Sequence, residues 1–229
     1  MAQPSRRVVI AIDGPAGAGK STIARRLAAR LGFTYIDSGA MYRAVALWAM
    51  RQNADPSDVH RVEQLALAAD IQLPAPQVLL NGEDVTAAIR TAEVGKQASI
   101  VAAIPAVRRA MVQKQRALAA LTSVIMEGRD IGTVVFPAAD VKIFLDAAST
   151  VRIARRLRDF RDQGETVPPE TIASQIHERD HRDRSRAEAP LTQAPDAIYI
   201  DSTGLSLDRV EEEILKIVRA RITNGKDFS

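Results

Sequence analysis

Short apolar runs alternate along this chain with stretches that repeat every three to four residues. Val8-Val9-Ile10-Ala11-Ile12 has no polar alternation, so the pattern predicts a strand over 7–12 buried on both faces. Ile23, Leu27 and Leu31 recur at helical spacing and predict a helix over 19–31 that stops at Gly32. A second strand is expected over 33–36, then a helix capped by Ser38 and running to about Arg51. Further core strands are expected over 123–126, 141–145 and 197–200. Long helices are expected over 105–121 and 207–222.

Two regions break this rhythm. After Asp55-Pro56-Ser57 comes a helical run to about Ala69. A small hairpin of 71–73 with 78–80 follows, with Pro74, Pro76 and Asn81-Gly82 as turn residues. Between Arg152 and Arg186 lie two charged helices, interrupted by Gly164 and Pro168-Pro169. The expected organisation is a core of residues 1–56, 101–157 and 187–229, with an insertion over 57–100 and a lid over 158–186. Strand–helix alternation predicts an α/β fold: a five-stranded parallel sheet with helices on both faces. Ligands of such sheets bind beyond the carboxyl ends of the strands. Asp13, Asp37, Glu127 to Asp130 and Asp146 all follow predicted strands.

The chemistry is most legible after the first strand. Gly14-Pro15-Ala16-Gly17-Ala18-Gly19-Lys20-Ser21 satisfies G-x-x-x-x-G-K-[ST], with Thr22 next, between a predicted strand and a predicted helix. Such a loop curls around an anion and turns successive N–H groups and a helix N-terminus toward phosphates. Lys20 is expected to reach the β- and γ-phosphates, and Ser21 to ligate Mg²⁺. The loop alone does not choose among kinases, switches and motors. However, the Asn-Lys-x-Asp signature expected of a GTPase is absent. The strand after Ser123 ends in Glu127-Gly128-Arg129-Asp130 rather than an Asp-x-x-Gly loop. An arginine and a carboxylate there suit a second phosphorylated substrate.

Composition narrows the class further. With no cysteine among 229 residues, a disulfide framework and a thiolate zinc site are excluded. The net charge of +3 is that of an ordinary solvated surface. Arginines crowd between 152 and 186 but are interleaved with acids, unlike a polyanion-binding tail, so no nucleic-acid polymer is expected as partner. The first apolar run is too short for a bilayer or a signal-peptide core, so a soluble cytoplasmic protein is expected. No heptad seam is visible, and a monomer is expected.

Several segments together resemble the bacterial cytidylate kinases. These are Asp37-Ser38-Gly39-Ala40-Met41-Tyr42-Arg43, the run from Glu127 to Pro137, Lys142 to Ala147, Asn81 to Val85 with Ile89-Arg90, and Glu178-Arg179-Asp180 with Arg182, Asp183 and Arg186. The resemblance implies transfer of phosphate from ATP to CMP or dCMP with Mg²⁺. It implies that Asp130 reads the cytosine amine, with Arg108 and Ser99 on the base and Ser38 near the same pocket. It assigns Arg43, Arg129 and Arg186 to the CMP phosphate, and Arg179 and Asp183 to the sugar hydroxyls. It picks Arg108 over the adjoining Arg109. By the same reading Lys20, Arg129 and Arg186 are the catalytic cations, and Arg155 or Arg156 contacts the ATP phosphates. Asp13 is either structural or positions a magnesium-bound water, and Glu127 is the stronger candidate near the metal. Spacing alone would also allow Arg179 and Asp183 to be a surface i, i+4 ion pair. His60, His177 and His181 read as surface residues, and Trp48 as core.

Overall fold

Apolar runs that lack alternation become the central strands of a parallel sheet in the computed structural model, which describes residues 6–162, 164 and 166–223. Strand β1 (Val9–Asp13) pairs in parallel with β6 (Val124–Gly128) on one side and β7 (Val141–Asp146) on the other. With β2 (Thr34–Asp37) and β8 (Ile198–Asp201) the sheet runs β2-β6-β1-β7-β8. Every residue of β6 is buried, so both of its faces are covered. That is why its sequence shows no period of two.

The chain divides into two compact units. The first takes the residues up to Tyr35, then Thr122–Ser185, then those from Ala189 on; the second is Ile36–Leu121 with Arg186–Glu188. This division cuts elsewhere than the expected insertion over 57–100.

In the first unit, helix α1 (Lys20–Leu31) buries Lys20, Ile23, Ala24, Leu27 and Ala28, one stripe at helical spacing. It packs with α8 (Leu207–Thr223) over Ile10, Ile12, Ile125, Ile143 and Leu145. Gly32, in the left-handed region, ends α1, and its N–H donates to the Ala28 carbonyl. Helices α6 (Ser149–Asp162) and α7 (Pro169–Ser185) share a small cluster of Phe160, Ile172 and Ile176.

The second unit has its own core. Its helices are α2 (Ser38–Arg51), α3 (Val59–Ala68), α4 (Ala92–Val101) and α5 (Pro105–Leu118). Met41, Val45, Val62, Val107 and Met111 are fully buried there, and Trp48 packs against them as expected. Three local expectations are corrected. Asp37, not Ser38, caps α2: its Oδ1 accepts from the Ala40 N–H at 3.0 Å, and Ser38 is already helical. The small hairpin has a third strand. Strand β3 (Ile71–Gln72) pairs with β4 (Leu79–Leu80), and β4 pairs with β5 (Glu83–Asp84). Asn81 and Gly82, both at positive φ, join β4 to β5, as a two-residue turn of mirror type requires. Helix α4 was missed, although Thr91 caps it by accepting from the Val94 N–H. The cap residue followed by helix formers was the available signal.

Candidate active site

The phosphate loop leaves β1 at Asp13 and reaches α1 at Lys20. Gly14 has φ +147°, and a Cβ there would lie 1.9 Å from the Leu145 carbonyl oxygen in β7, so the loop can leave the sheet only through a glycine. Gly19 caps α1 in the left-handed region and offers no side chain to its first turn. The leading N–H groups are therefore not spent on a side-chain cap, which leaves that end of the helix suited to an anion. Ser21 and Thr22 follow with exposed side chains.

Lys20 is buried, and its Nζ donates to the Pro15 carbonyl at 2.7 Å. Burial pushes its pKa down to about 7; Arg129 and Arg179 add to this fall, while Glu127 and Asp13 oppose it. Two sequence-predicted arginines thus lie within electrostatic reach of the loop lysine.

Asp13 is a structural anchor. Its Oδ1 accepts from the Ile131 N–H at 2.8 Å and its Oδ2 from the Gly132 N–H at 2.7 Å. This pins the segment after β6 against the base of the phosphate loop. Burial raises the Asp13 pKa to about 6 against the pull of those two N–H groups, with the nearby Asp130 raising it further. Residues Ile131–Val135 form a single π-helical turn, a feature no local periodicity announced. The Asp130 carbonyl accepts from the Val134 and Val135 N–H groups, at 2.9 and 3.1 Å. Asp130 is thereby held at the mouth of that turn with its side chain buried. Glu127 is buried as well and accepts from the Tyr35 hydroxyl at 2.7 Å.

Beyond the loop, Arg129 Nε donates to Asp183 Oδ2 at 2.9 Å. Arg179 Nε lies 4.0 Å from the same oxygen. The i, i+4 ion pair that spacing allows on α7 is therefore the looser contact, and Arg129 lies nearer to Asp183 than Arg179 does. Arg155 donates to the Ala18 carbonyl at 3.1 Å and to both the side chain and the carbonyl of Ser202. As placed, its guanidinium ties the loop to Ser202. Arg152 and Asp180 were not among the expected site residues. Both are buried, and they meet at 2.7 Å, with Arg152 also donating to the Ala16 carbonyl.

The other candidates lie in the second unit. Ser38 opens α2 and is buried; Arg43 is half-buried one and a half turns on. Ser99 is buried on α4, and its hydroxyl has no hydrogen-bond partner among the described residues. Arg108 and Arg109 differ sharply. Arg108 is buried, sits 5.4 Å over the Tyr42 ring and donates to the Ala102 carbonyl at 3.0 Å. Arg109 is exposed and pairs with Glu188 at 3.2 Å. Arg186 is half-buried in the same unit. His60, His177 and His181 are exposed.

A parallel sheet, a glycine-rich loop delivering a strand to a helix N-terminus, and a buried lysine with arginines near it define the P-loop kinases. The family model for cytidylate kinase matches residues 10–220. The chain belongs to the cytidylate kinase family. It is 64% identical over 227 residues to a cytidylate kinase of Solibacter usitatus (strain Ellin6076), covering 98% of this chain and 97% of that one. It is 48% identical to a cytidylate kinase of Saccharophagus degradans, covering 93% of this chain and 98% of that one. A bifunctional pantoate ligase/cytidylate kinase of Synechococcus elongatus is also 48% identical; 94% of this chain is covered but only 43% of that protein. Among solved structures, a gluconokinase from Sinorhizobium meliloti 1021 shares the fold at a TM-score of 0.50 with 14% identity, covering 95% of this chain and 97% of that one.

Proposed function

We propose that this chain transfers the γ-phosphoryl group of ATP to CMP or dCMP, giving ADP and CDP or dCDP. One observation carries the reading: the segment Arg129–Val135 is anchored on Asp13 at the foot of the phosphate loop, and its arginine is close enough to Lys20 to depress that lysine's pKa. A substrate phosphate gripped by Arg129 is thereby set beside a triphosphate held by Lys20.

The reaction needs little covalent help. The CMP phosphate is already ionised near neutrality and is itself the nucleophile. One of its oxygens bonds to the γ-phosphorus as the bond from that phosphorus to the β-bridging oxygen breaks, and ADP leaves with the electron pair. Alignment and neutralisation of charge are the protein's task. The loop N–H groups and Lys20 hold the β- and γ-phosphates. Arg43, Arg129 and Arg186 hold the acceptor phosphate; arginine suits because its planar fork binds phosphate oxygens in pairs. Asp130 accepts from the cytosine N4 amine, with Arg108 and Ser99 serving the remaining base edge and Ser38 nearby. Arg179 and Asp183 serve the sugar.

Magnesium fits the residues present. Among the described residues no group of three or more His, Cys, Asp or Glu could hold a metal ion. A Mg²⁺ carried by the triphosphate would take most of its ligands from phosphate oxygens and water, with the exposed Ser21 hydroxyl as a protein ligand. Asp13 is spent on two backbone N–H groups, which leaves Glu127 as the carboxylate nearest that role. When bound, the ion neutralises charge on the β- and γ-phosphate oxygens.

We place the enzyme in the cytoplasm as a monomer acting on small nucleotides. The chain has no cysteine, which fits a reducing compartment, and among the described residues no helix is long and apolar enough to cross a membrane.

The test is ADP and product formation from ATP and Mg²⁺ with CMP, dCMP, UMP, AMP and shikimate in turn. Selective turnover of CMP and dCMP is expected. Turnover confined to another acceptor would replace the substrate assignment, and none with any acceptor would overturn the kinase reading.

A further inference from the structure

Arg152, at the start of α6, is buried and binds three partners through its guanidinium. Its Nε donates to the Ala147 carbonyl at 3.0 Å, and its Nη1 both donates to the Ala16 carbonyl at 3.0 Å and meets Asp180 Oδ2 at 2.7 Å. The second oxygen of Asp180 is buried without a hydrogen-bond partner among the described residues. The loop touches this residue a second time. Gly17, at φ +77°, packs so closely that a Cβ would lie 3.0 Å from the Arg152 carbonyl oxygen. The crest of the phosphate loop therefore rests on one turn of α6, and that turn is tied to α7 through the Asp180 carboxylate.

Asp180 and Asp183 stand three residues apart on α7 and so lie on neighbouring parts of one helical face. Asp183 holds Arg129, on the segment after β6, at 2.9 Å. Helix α7 is thus fastened at two adjacent points, one to the loop assigned to the triphosphate and one to the arginine assigned to the acceptor. Arg179, assigned to the sugar, sits on the same turn.

A desolvated ion pair of this kind is a poor source of net stability, because taking both charges out of water offsets most of their attraction. Its directional strength is what distinguishes it from an apolar contact: one guanidinium plane fixes two loop and helix carbonyls and one carboxylate at once.

We propose that Arg152 and Asp180 are positioning residues that set α7 in register with the phosphate loop, so that both phosphoryl groups are aligned only when this link is made. The proposal rests on the kinase reading above, and it deepens it by assigning two residues that touch neither the base nor the acceptor phosphate. Loosening the link should misalign the transfer and admit water, leaving ATP hydrolysis as the competing outlet.

The experiment compares wild type, Asp180→Asn, Asp180→Glu, Arg152→Lys and the double variant R152K/D180N. It measures kcat, KM for CMP, and ADP released per CDP formed. For D180N we expect kcat to fall about tenfold or more, KM for CMP to stay within roughly threefold, and the ADP-to-CDP ratio to rise above the wild-type value. D180E should recover much of the loss. R152K should reproduce the D180N pattern, and the double variant should be no worse than the worse single one. Wild-type kcat and ratio in D180N would overturn the proposal, as would losses that multiply in the double variant. If D180N does not fold, R152K and D180E decide by the same ratio. The thermal shift induced by ATP and Mg²⁺, read without acceptor, is expected to shrink in R152K and D180N. An equal shift in all variants overturns the link whatever acceptor the wild type uses. Failure of wild type to turn over CMP overturns the substrate assignment instead.

Discussion

Arg129 Nε lies 2.9 Å from Asp183 Oδ2, joining the segment after β6 to helix α7 across 54 residues of sequence. Both side chains are largely buried. Asp183 therefore orients the guanidinium proposed to grip the acceptor phosphate, in addition to any contact with sugar. Asp183→Asn keeps the shape but removes the charge. A drop in kcat/KM for CMP of about tenfold or more is expected, because hydrogen bonds to charged groups contribute roughly 1.5–3 kcal/mol. R129K/D183N should lose less than the product of the single losses, since the two residues share one interaction. Steady-state kinetics on the four proteins decide this; multiplicative losses would separate the two roles.

Lys20 makes binding of ATP depend on pH. With a pKa near 7 it is mostly neutral at pH 8 in the free protein. A bound triphosphate favours the charged form, so the complex takes up close to one proton per ATP at pH 8 and much less at pH 6. Calorimetry in buffers of different ionisation enthalpy measures that number. A heat independent of buffer at pH 8 would remove Lys20 from the phosphate site, and Lys20→Met should abolish the uptake in any case.

The same two buried groups give stability a readable pH dependence. Between about pH 4 and pH 6 folded Asp13 keeps a proton that the unfolded chain has released, so stability falls as pH rises through that window, by about 3 kcal/mol at most. Lys20 acts above neutrality: from about pH 7 to pH 10.5 the unfolded chain holds the proton and the folded chain does not, so stability rises with pH. Urea unfolding of wild type, D13N and K20M across these windows tests both signs. D13N should lack the fall below pH 6, and K20M the rise above pH 7; variants that parallel wild type would contradict the assignment.

Asp130 is the residue proposed to select between pyrimidines. Asp130→Asn can turn an NH₂ toward uracil O4, where the carboxylate would meet it with like polarity. A loss with CMP of about 1–3 kcal/mol, and a relative gain for UMP, is expected. The ratio of kcat/KM values for the two acceptors is the measurement. Equal losses on both would mean that Asp130 does not read the base.

Gly14→Ala should be far more damaging than a loop substitution normally is. Its φ of +147° disfavours any side chain, and the new Cβ would overlap the Leu145 carbonyl at 1.9 Å, which is backbone and cannot rotate away. A cost of about 3 kcal/mol or more is expected, read as a lowered urea midpoint together with lost ATP binding. A variant with wild-type stability would show that the loop leaves β1 by another path.

Much of this protein was written in local pattern. Hydrophobic periodicity marked the five core strands and the long helices, because each depends on side chains a few positions apart. The phosphate loop was complete in eight consecutive residues, since its chemistry is done by backbone and one lysine. The run from Glu127 to Pro137 was likewise legible by its resemblance to a known family. Only the folded chain could say that Asp13 anchors the segment after β6, because its partners are N–H groups at Ile131 and Gly132, more than a hundred residues away. Nor could spacing favour Arg129 over Arg179 as the nearer partner of Asp183, or reveal Arg152 and Asp180 as a pair. The contacts of Asp13 with Ile131 and Gly132, of Arg129 with Asp183 and of Arg152 with Asp180 join segments far apart along the chain, and no short window of sequence contains both ends of any of them.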